Sequence, residues 1–496
     1  MCIRTWISLA CFACGIGLLA ASAMAASPRE WTLRVEHAVD VDYVDPALAY
    51  YWFTWQLEHA TCLKLVSYDA TGRLIPEASL WPRISPDGRT YTFEIRTGFT
   101  RFSTGKRVTA RDFAASIRRL ADERMGGPQT RAFASDIVRA EASGSRLRLE
   151  LRAPAGDLLA RLAMPVFCVL PEGTPIDDKG IEPPVPAAGP YFIADWVARG
   201  QLVLRRNPHY RGPRPRRPDR IVITVGRSRQ DAEENVANGL TDWLATTQTR
   251  RWNEPALKTR GVVQNRLWYL FFDTRPGKPF ANARLRQAVA FALDRWRIAS
   301  PTASQLGLPT DQLVPVSTGI HRPPVFPLRR TPATLQKARE LAKGLVPLRI
   351  TLHGDNRLYP QLEVVRGNLR DIGIETDYRV GPQGSFPAPC SGDVSVVGFG
   401  ADYADPGAVF EPMAARVAQE CRKRPSWAAS VAAARYLRGR PRLRAFARLE
   451  RRLAEQAIPA TALYAPYQFN FFSARIGCFR PHRVYQVDIA ALCLRR

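Results

Sequence analysis

The chain has 496 residues, 46% of them hydrophobic and 23% charged, a composition that excludes a mainly disordered protein and predicts about two or three compact units. The formal net charge of +26 would suit a nucleic-acid-binding protein. Arginines are spread along the whole sequence rather than gathered in one basic segment, so we predict no nucleic-acid partner.

The first 25 residues have the pattern of an export signal. Arg4 precedes an apolar run from Trp6 to Ala23, and Ala23-Met24-Ala25 has the small-residue pattern of a cleavage site. The alternatives are a transmembrane anchor, which needs about 20 apolar residues, and lipid attachment through a cysteine of the run. We predict a signal peptide at 1–25 and an exported mature protein that is periplasmic or associated with the cell surface.

The cysteines outside this segment predict disulfides, because an exported chain meets an oxidising environment and an even number remains. These residues are Cys62, Cys168, Cys390, Cys421, Cys478 and Cys493. Many pairings are possible, and sequence alone does not choose among them. Proximity along the chain favours Cys390–Cys421 and Cys478–Cys493. Since no C-x-x-C pair or regular histidine partner accompanies them, we predict no metal site.

The N-terminal part of the chain alternates predicted strands and helices. Trp31 to Val35 alternates in polarity and predicts a strand, and the aromatic cluster from Tyr50 to Trp55 lies on a predicted helix. That cluster suits either core packing or the wall of a ligand cleft. The turn Pro86-Asp87-Gly88, followed by alternation to Ile95, predicts a β-hairpin, and Thr109 predicts the N-cap of the next helix.

The pattern becomes irregular after a proline-rich break at 183–186, which we interpret as a candidate lobe boundary. Predicted strands follow at 189–193, 202–204, 221–225, 268–272, 374–378, 394–397, 464–472 and 484–494, and predicted helices at 285–296, 362–372 and 443–457. Asn282 is the predicted cap of the first of these helices. Irregular alternation of this kind predicts an α/β protein with more than one sheet.

Motifs that would indicate an enzyme are missing from the sequence. It contains no G-x-S-x-G elbow, no H-E-x-x-H pair, no Walker loop and no glycine-rich dinucleotide turn. The six histidines are dispersed, whereas a catalytic or metal site needs a closer set of candidates. We therefore predict a protein that is not an enzyme, with no catalytic residues and no cofactor.

An acidic loop is the strongest candidate for a binding site. Asp402 and Asp405 follow a predicted strand and lie beside Phe399 and Tyr403. Ligands of α/β proteins gather at the carboxyl ends of strands, where a carboxylate can pair with a ligand cation and an aromatic ring can cover it. The alternative is that Asp402 caps the following segment or pairs with a nearby arginine.

We also assign ligand contacts to two residues of the aromatic strand at 268–272. These are Trp268 and Tyr269, so the predicted ligand-binding residues are Asp402, Phe399, Tyr403, Trp268 and Tyr269.

Four separated stretches of sequence together resemble the family 5 extracellular solute-binding proteins of ABC importers, the peptide- and nickel-binding group. They are 74–113, which contains SPDGRTYTFEIRTG; GPYFIADW at 189–196 with RNPHYRG at 206–212; PFANARLRQAVAFALDR at 279–295; and LRDIGIETDY at 369–378 with GFGADYADP at 398–406. The stretches occur in the order of the family and extend over nearly the whole mature chain.

The resemblance implies an α/β, type II periplasmic-binding-protein fold with two lobes, an extra subdomain and mixed sheets. Lobe I would comprise 26–66, 186–264 and 474–496, the extra subdomain 67–185, and lobe II 265–473. The ligand would lie between lobes I and II, which close by a hinge motion.

The resemblance also implies a function. In peptide binders of this family the first Asp of the D-x-x-D-P loop receives the N-terminal ammonium of the peptide, and that position matches Asp402. The chain would be the extracytoplasmic substrate-binding component of an ABC importer, which captures an oligopeptide or dipeptide and delivers it to the permease. We expect it to be a monomer. The alternatives are a non-peptide ligand, such as a metal chelate, a glycoside or haem, and a secreted hydrolase.

Overall fold

The computed structural model describes residues 30–37, 40–96, 101–246, 258–301, 306–381 and 387–495, so the predicted signal peptide at 1–25 lies outside the described residues. The strands are β1 (Thr32–His37), β2 (Val66–Tyr68), β3 (Leu74–Pro76), β4 (Arg83–Ile84), β5 (Thr90–Glu94), β6 (Ile137–Ser143), β7 (Arg146–Leu151), β8 (Tyr191–Val197), β9 (Gln201–Arg206), β10 (Arg220–Val225), β11 (Trp243–Thr246), β12 (Lys258–Val263), β13 (Arg266–Phe272), β14 (Gly307–Pro309), β15 (Leu348–Gly354), β16 (Ile374–Val380), β17 (Val394–Gly400), β18 (Ala460–Phe472), β19 (Ile476–Cys478), β20 (Pro481–His482), β21 (Gln486–Val487) and β22 (Cys493–Leu494).

The helices alternate irregularly with these strands. They are α1 (Trp52–Thr61), α2 (Ala110–Ala121), α3 (Pro128–Arg131), α4 (Leu158–Leu162), α5 (Arg229–Ala237), α6 (Ala283–Ala292), α7 (Arg295–Ala299), α8 (Pro332–Ala342), α9 (Tyr359–Arg370), α10 (Gly407–Glu420), α11 (Ala428–Arg435) and α12 (Gly439–Glu455). Within the described ranges, no helix combines the length and the apolar character that crossing a bilayer requires.

Local signals in the sequence set several of these boundaries. The Thr109 side chain and Asp112 form a reciprocal capping box at the start of α2, and the Asn282 side chain accepts the Arg284 N–H at the start of α6. Both predicted caps are confirmed. The helix predicted to continue to Trp296 instead ends at Ala292, because Asp294 caps a new helix, α7, by accepting the Arg297 N–H at 3.0 Å.

A large mixed sheet organises the molecule in the order β16-β15-β17-β13-β18-β11-β1-β10-β9-β8. We call β8, β9, β10, β1 and β11 half-sheet A, and β13, β17, β15 and β16 half-sheet B. Both contain parallel pairs, such as β1 with β10 and β15 with β16, beside antiparallel ones. The long strand β18 joins them, because its first residues pair with β13 and its last residues pair with β11.

Separate apolar cores lie against the two half-sheets. Leu33, Tyr191 and Trp243 belong to the core of half-sheet A, and Leu270 and Leu352 to that of half-sheet B. A third and larger core fills the space between a separate four-stranded sheet (β4-β5-β7-β6) and the helices α10 and α12. It therefore connects the segment around 90–150 with the one around 400–455.

Three disulfides link segments within the described part of the chain. Cys390–Cys421 and Cys478–Cys493 have Cα–Cα distances of 5.3 and 5.1 Å, which confirms both predicted pairs. The third, Cys62–Cys168, joins residues 106 positions apart, so proximity along the chain did not indicate it.

Candidate ligand-binding site

Asp402 lies at the boundary between the half-sheets, two residues after the end of β17. Arg266, the first residue of β13, is paired in register with Gly400, the last residue of β17. The Ala401 N–H donates to the Asn265 carbonyl at 2.7 Å and continues this pairing. The half-buried Asp402 carboxylate is thereby held beside the beginning of β13.

Tyr50, from the segment that precedes α1, faces Asp402 from the side of half-sheet A. Its hydroxyl donates to Asp402 Oδ2 at 3.3 Å, and its ring is 38% exposed. Asp42 holds this segment in place, since its Oδ2 accepts the N–H groups of Tyr50 and Tyr51 at 2.6 and 3.0 Å and its Oδ1 accepts the Thr54 hydroxyl at 2.6 Å. The donor is therefore positioned before any ligand arrives.

Burial raises the pKa of Asp402 to about 6, although the Tyr50 hydrogen bond and the Arg266 cation act in the opposite direction. The carboxyl group is thus half-ionised near pH 6 and mostly ionised at pH 7. A ligand cation placed against it would favour the ionised form and lower the pKa. The charge of the Asp402 carboxyl group would therefore depend on whether a ligand cation is bound against it.

Asp405, the second acidic residue of the loop, has a structural role. Arg442 on α12 donates to it through Nε at 2.9 Å and through a terminal nitrogen at 2.7 Å, and the Gly407 N–H donates to it at 2.7 Å. This bidentate pair anchors the loop on α12 at the start of α10.

Tyr403 was predicted to contact the ligand, but its side chain points away from Asp402. Its ring is 8% exposed, and its hydroxyl donates to Asp157 Oδ2 at 2.7 Å. The backbone of the next residue lies on the same side, since the Ala404 N–H donates to the Tyr68 hydroxyl at 3.2 Å. The Tyr403 side chain therefore enters the core, whereas Asp402 faces the boundary between the half-sheets.

The aromatic residues of β13 and β17 need a similar correction. Tyr269 is 0% exposed, and its hydroxyl donates to the Leu313 carbonyl at 2.8 Å. Phe399 is buried in the same core, with its ring centroid 5.5 Å from that of Phe271. Trp268 packs on the opposite face of the sheet, in the core of half-sheet B. Strand alternation thus prevents Trp268 and Tyr269 from lining one cleft together.

Three residues that the sequence did not assign to the site lie around Asp402: Tyr50, Asp42 and Arg266. The aromatic cluster at 50–55 was the only signal for Tyr50, and it suited core packing equally well. Asp42 and Arg266 carry no local signal, because their roles depend on partners distant in the sequence.

The family model described as bacterial extracellular solute-binding proteins, family 5 middle, matches residues 44–419. The chain belongs to this family. Its structure has the type II periplasmic-binding-protein fold of the family. Superposition on the unliganded open form of the periplasmic murein tripeptide-binding protein MppA gives a TM-score of 0.79 at 17% identity, over 94% of this chain and 98% of that one.

Other members are similar at the level of fold or of partial sequence. Brucella suis NikA, in complex with Fe(III)-EDTA, gives a TM-score of 0.78 at 20% identity over 94% of this chain and all (100%) of that one. The probable D,D-dipeptide-binding periplasmic protein DdpA of Escherichia coli K12 is 27% identical over 55% of this chain and 54% of its own length. The Salmonella typhimurium periplasmic oligopeptide-binding protein OppA is 24% identical over 66% and 67%. This solute-binding protein spans between about a quarter and about half of the length of the first curated relatives it matches.

A polar cluster beneath the Asp402 loop links this solute-binding protein's loop and α11 to the region of the four-stranded sheet. We call it the clasp and define it as Asp136, Asp157, Arg161, Tyr403 and Arg435. Arg435 reaches Asp136 at 2.9 Å, Arg161 reaches Asp136 at 2.9 Å and Asp157 at 3.2 Å, and Tyr403 reaches Asp157 as described above. Among the described residues, no group of His, Cys, Asp and Glu side chains is arranged to hold a metal ion.

Proposed function

We propose that this protein is the substrate-binding component of an ABC importer and that it holds a short peptide by its N-terminal ammonium at Asp402. The observation that carries the proposal is the half-buried Asp402 carboxylate, which bridges the half-sheets through Tyr50 and has its pKa raised to about 6 by burial. An ammonium group would add a direct charged hydrogen-bond donor to a carboxylate that accepts a hydrogen bond from the Tyr50 phenol in the free protein.

The opposite end of the peptide would meet positive charge. Arg266 interacts electrostatically with Asp402 and also with Arg357. Arg357 is held by Asp355, to which Nε donates at 3.0 Å, while 42% of its side chain remains exposed. We propose that these two arginines interact with the terminal carboxylate, so that a zwitterionic ligand is matched at both ends.

Exposed aromatic rings complete the proposed site. Tyr51 is 53% exposed and Trp52 36% exposed, both next to Tyr50 at the start of α1. Large rings left in solvent beside a polar anchor suit a surface that packs on a ligand, with little demand on which side chains the peptide carries.

The curated relatives support the proposed location and partners. Curated relatives are described as periplasmic dipeptide- and oligopeptide-binding proteins, which supports an exported location, delivery to a membrane permease and the absence of catalysis. We further propose that half-sheets A and B are the cores of lobes I and II, with the boundaries predicted from the sequence.

A metal chelate is the second candidate ligand. NikA of Brucella suis holds Fe(III)-EDTA on the same fold, and Arg266 and Arg357 could take the carboxylates of such a chelate. A chelate has no ammonium group, however, and so makes no use of the Asp402 carboxylate. We therefore favour the peptide.

Calorimetric titration with trialanine and N-acetyl-trialanine tests the choice. We expect wild type to bind the free peptide more tightly, and Asp402→Asn to lose about 1–3 kcal/mol of that affinity because a charged hydrogen-bond partner is removed. Asp377→Asn is the matched control, since Asp377 pairs with Arg349 on the exposed surface of β16. Equal affinity for both peptides would contradict the ammonium site, and cleavage of trialanine during the titration would reveal a hydrolase.

A further inference from the structure

A cavity of about 160 Å³ lies in the half-sheet B region, at the end opposite to Asp402. Phe271 and Phe272 line it at the end of β13, whereas Arg266, beside Asp402, begins that strand. Arg266 and Phe272 are six positions apart along the strand, a distance of about 20 Å at about 3.3 Å per residue. The cavity is therefore distinct from the proposed peptide site.

The walls of the cavity are apolar and aromatic. Phe271, Phe272 and Trp427 are 1%, 2% and 2% exposed, and Val417 and Ile458 add aliphatic surface. An apolar cavity of about 150 Å³ can hold a benzene ring, so this one has room for a single ring or a short branched chain. The Cys390–Cys421 disulfide joins the two segments that supply Pro389 and Cys421 to the wall.

The rim of the cavity is positive. Arg275, Lys423 and Arg424 line it, and no carboxylate does so among the described residues. Asp273 neutralises Arg275 through bonds of 2.6 to 3.1 Å, and Lys423 donates to the Thr274 carbonyl at 3.5 Å. Neither Lys423 nor Arg424 forms an ion pair with a carboxylate in the described part of the chain.

We propose that this cavity is a second binding site, which takes a small apolar monocarboxylate. The ring or branched chain of the ligand packs against Phe271, Val417 and Trp427, which belong to the same apolar core, and its carboxylate lies at the rim against Lys423 and Arg424. A neutral molecule of the same shape gains the apolar contacts but not the ionic ones, and a dicarboxylate would have to bury a second charge in the apolar interior.

Benzoate and its neutral counterpart benzyl alcohol are the probes, titrated calorimetrically into the mature protein. We expect benzoate to bind with a dissociation constant of about 1 mM or below, given its few heavy atoms. The double variant Lys423→Gln/Arg424→Gln should weaken benzoate roughly tenfold and leave benzyl alcohol unchanged. Arg422→Gln is the matched control, because Arg422 belongs to the same basic loop but does not line the cavity.

A second variant tests the cavity itself. Val417→Phe fills the space and should abolish binding of both probes, with its folding verified by circular dichroism. Undetectable benzoate binding to wild type, unchanged binding in Val417→Phe, or an equal loss in Arg422→Gln would overturn the proposal. Benzoate should still bind Asp402→Asn and wild type saturated with trialanine; loss of benzoate in either case would place it in the peptide site instead.

Discussion

At the scale of single residues, the chemistry of the site depends on how burial changes the charge of Asp402. Its pKa is raised to about 6, first by loss of solvent, while Tyr50 and Arg266 counteract the rise. A carboxyl group whose pKa is raised on folding stays protonated up to a higher pH than usual. Only its ionised form attracts an ammonium group strongly. Ligand affinity should therefore depend on pH in a range where most carboxylates are already fully ionised.

We predict that trialanine binds about tenfold more weakly at pH 5 than at pH 7, because Asp402 becomes protonated as the pH falls through 6. The peptide ammonium stays charged across this range, so its own titration contributes little. Calorimetry at intervals of half a pH unit measures the effect, with Asp402→Asn as the variant that should show a flat profile. An affinity that increased toward pH 5 would exclude Asp402 as the anionic contact.

At the scale of elements, the Asp402 loop is a junction between β17, α12 and the region of the four-stranded sheet. Asp405 binds Arg442 of α12, and Tyr403 binds Asp157 within the clasp. Gly156 approaches the end of α11 so closely that a Cβ there would overlap the Leu437 carbonyl, and its N–H donates to the Arg435 carbonyl at 3.0 Å. The position of Asp402 is thus set by contacts on the side of the loop that faces away from the boundary between the half-sheets.

Tyr403→Phe tests this structural role against the ligand contact that the sequence suggested. We expect a loss of about 1–3 kcal/mol in the free energy of unfolding, because the buried Asp157 carboxylate loses a hydrogen-bond donor. Tyr436→Phe, at an exposed tyrosine near the end of α11, is the control and should change stability by less than about 0.5 kcal/mol. Urea unfolding gives both values. Unchanged stability together with weaker trialanine binding would indicate that Tyr403 contacts the ligand after all.

At the scale of the whole molecule, the two half-sheets share one long strand and approach each other at a few polar contacts. Tyr50 and Asp402 come from opposite sides of this boundary, and β18 passes from one half-sheet to the other. A ligand that contacts both sides favours the conformation in which they are close, since only contacts better formed in one state shift the population toward it.

We predict that saturating trialanine decreases the radius of gyration measured by small-angle X-ray scattering, because the peptide adds contacts that favour the conformation in which Tyr50 lies close to Asp402 over more open conformations. Asp402→Asn at the same peptide concentration should show a smaller decrease, and Asp377→Asn should behave as wild type. An identical scattering curve with and without trialanine, at a concentration where calorimetry shows saturation, would rule out closure upon binding.

Much of the fold was predictable because its signals are local. The caps at Thr109 and Asn282, the hairpin before α2 and two of the disulfides depend on residues close together in the chain, and the family motifs predicted the fold class. The prediction that this helix continues to Trp296 was wrong. Apolar residues keep a helical spacing past Ala292, but Asp294 caps a new helix and the helical hydrogen bonding is interrupted there. The export signal, the lobe boundaries and the monomeric state stay predictions.

The sequence by itself determined the class of fold and the position of the acidic loop, because composition, alternation and motif order are properties of the chain. Only the tertiary structure decided which side chains of that loop face the boundary between the half-sheets and which face the core. Pairing of β13 with β17 places Asp402 at the boundary, whereas the clasp draws Tyr403 inward and strand alternation separates Trp268 from Tyr269. The physical reason is that burial and hydrogen bonding depend on neighbours hundreds of residues away, such as Tyr50 and Asp157, which no local pattern contains.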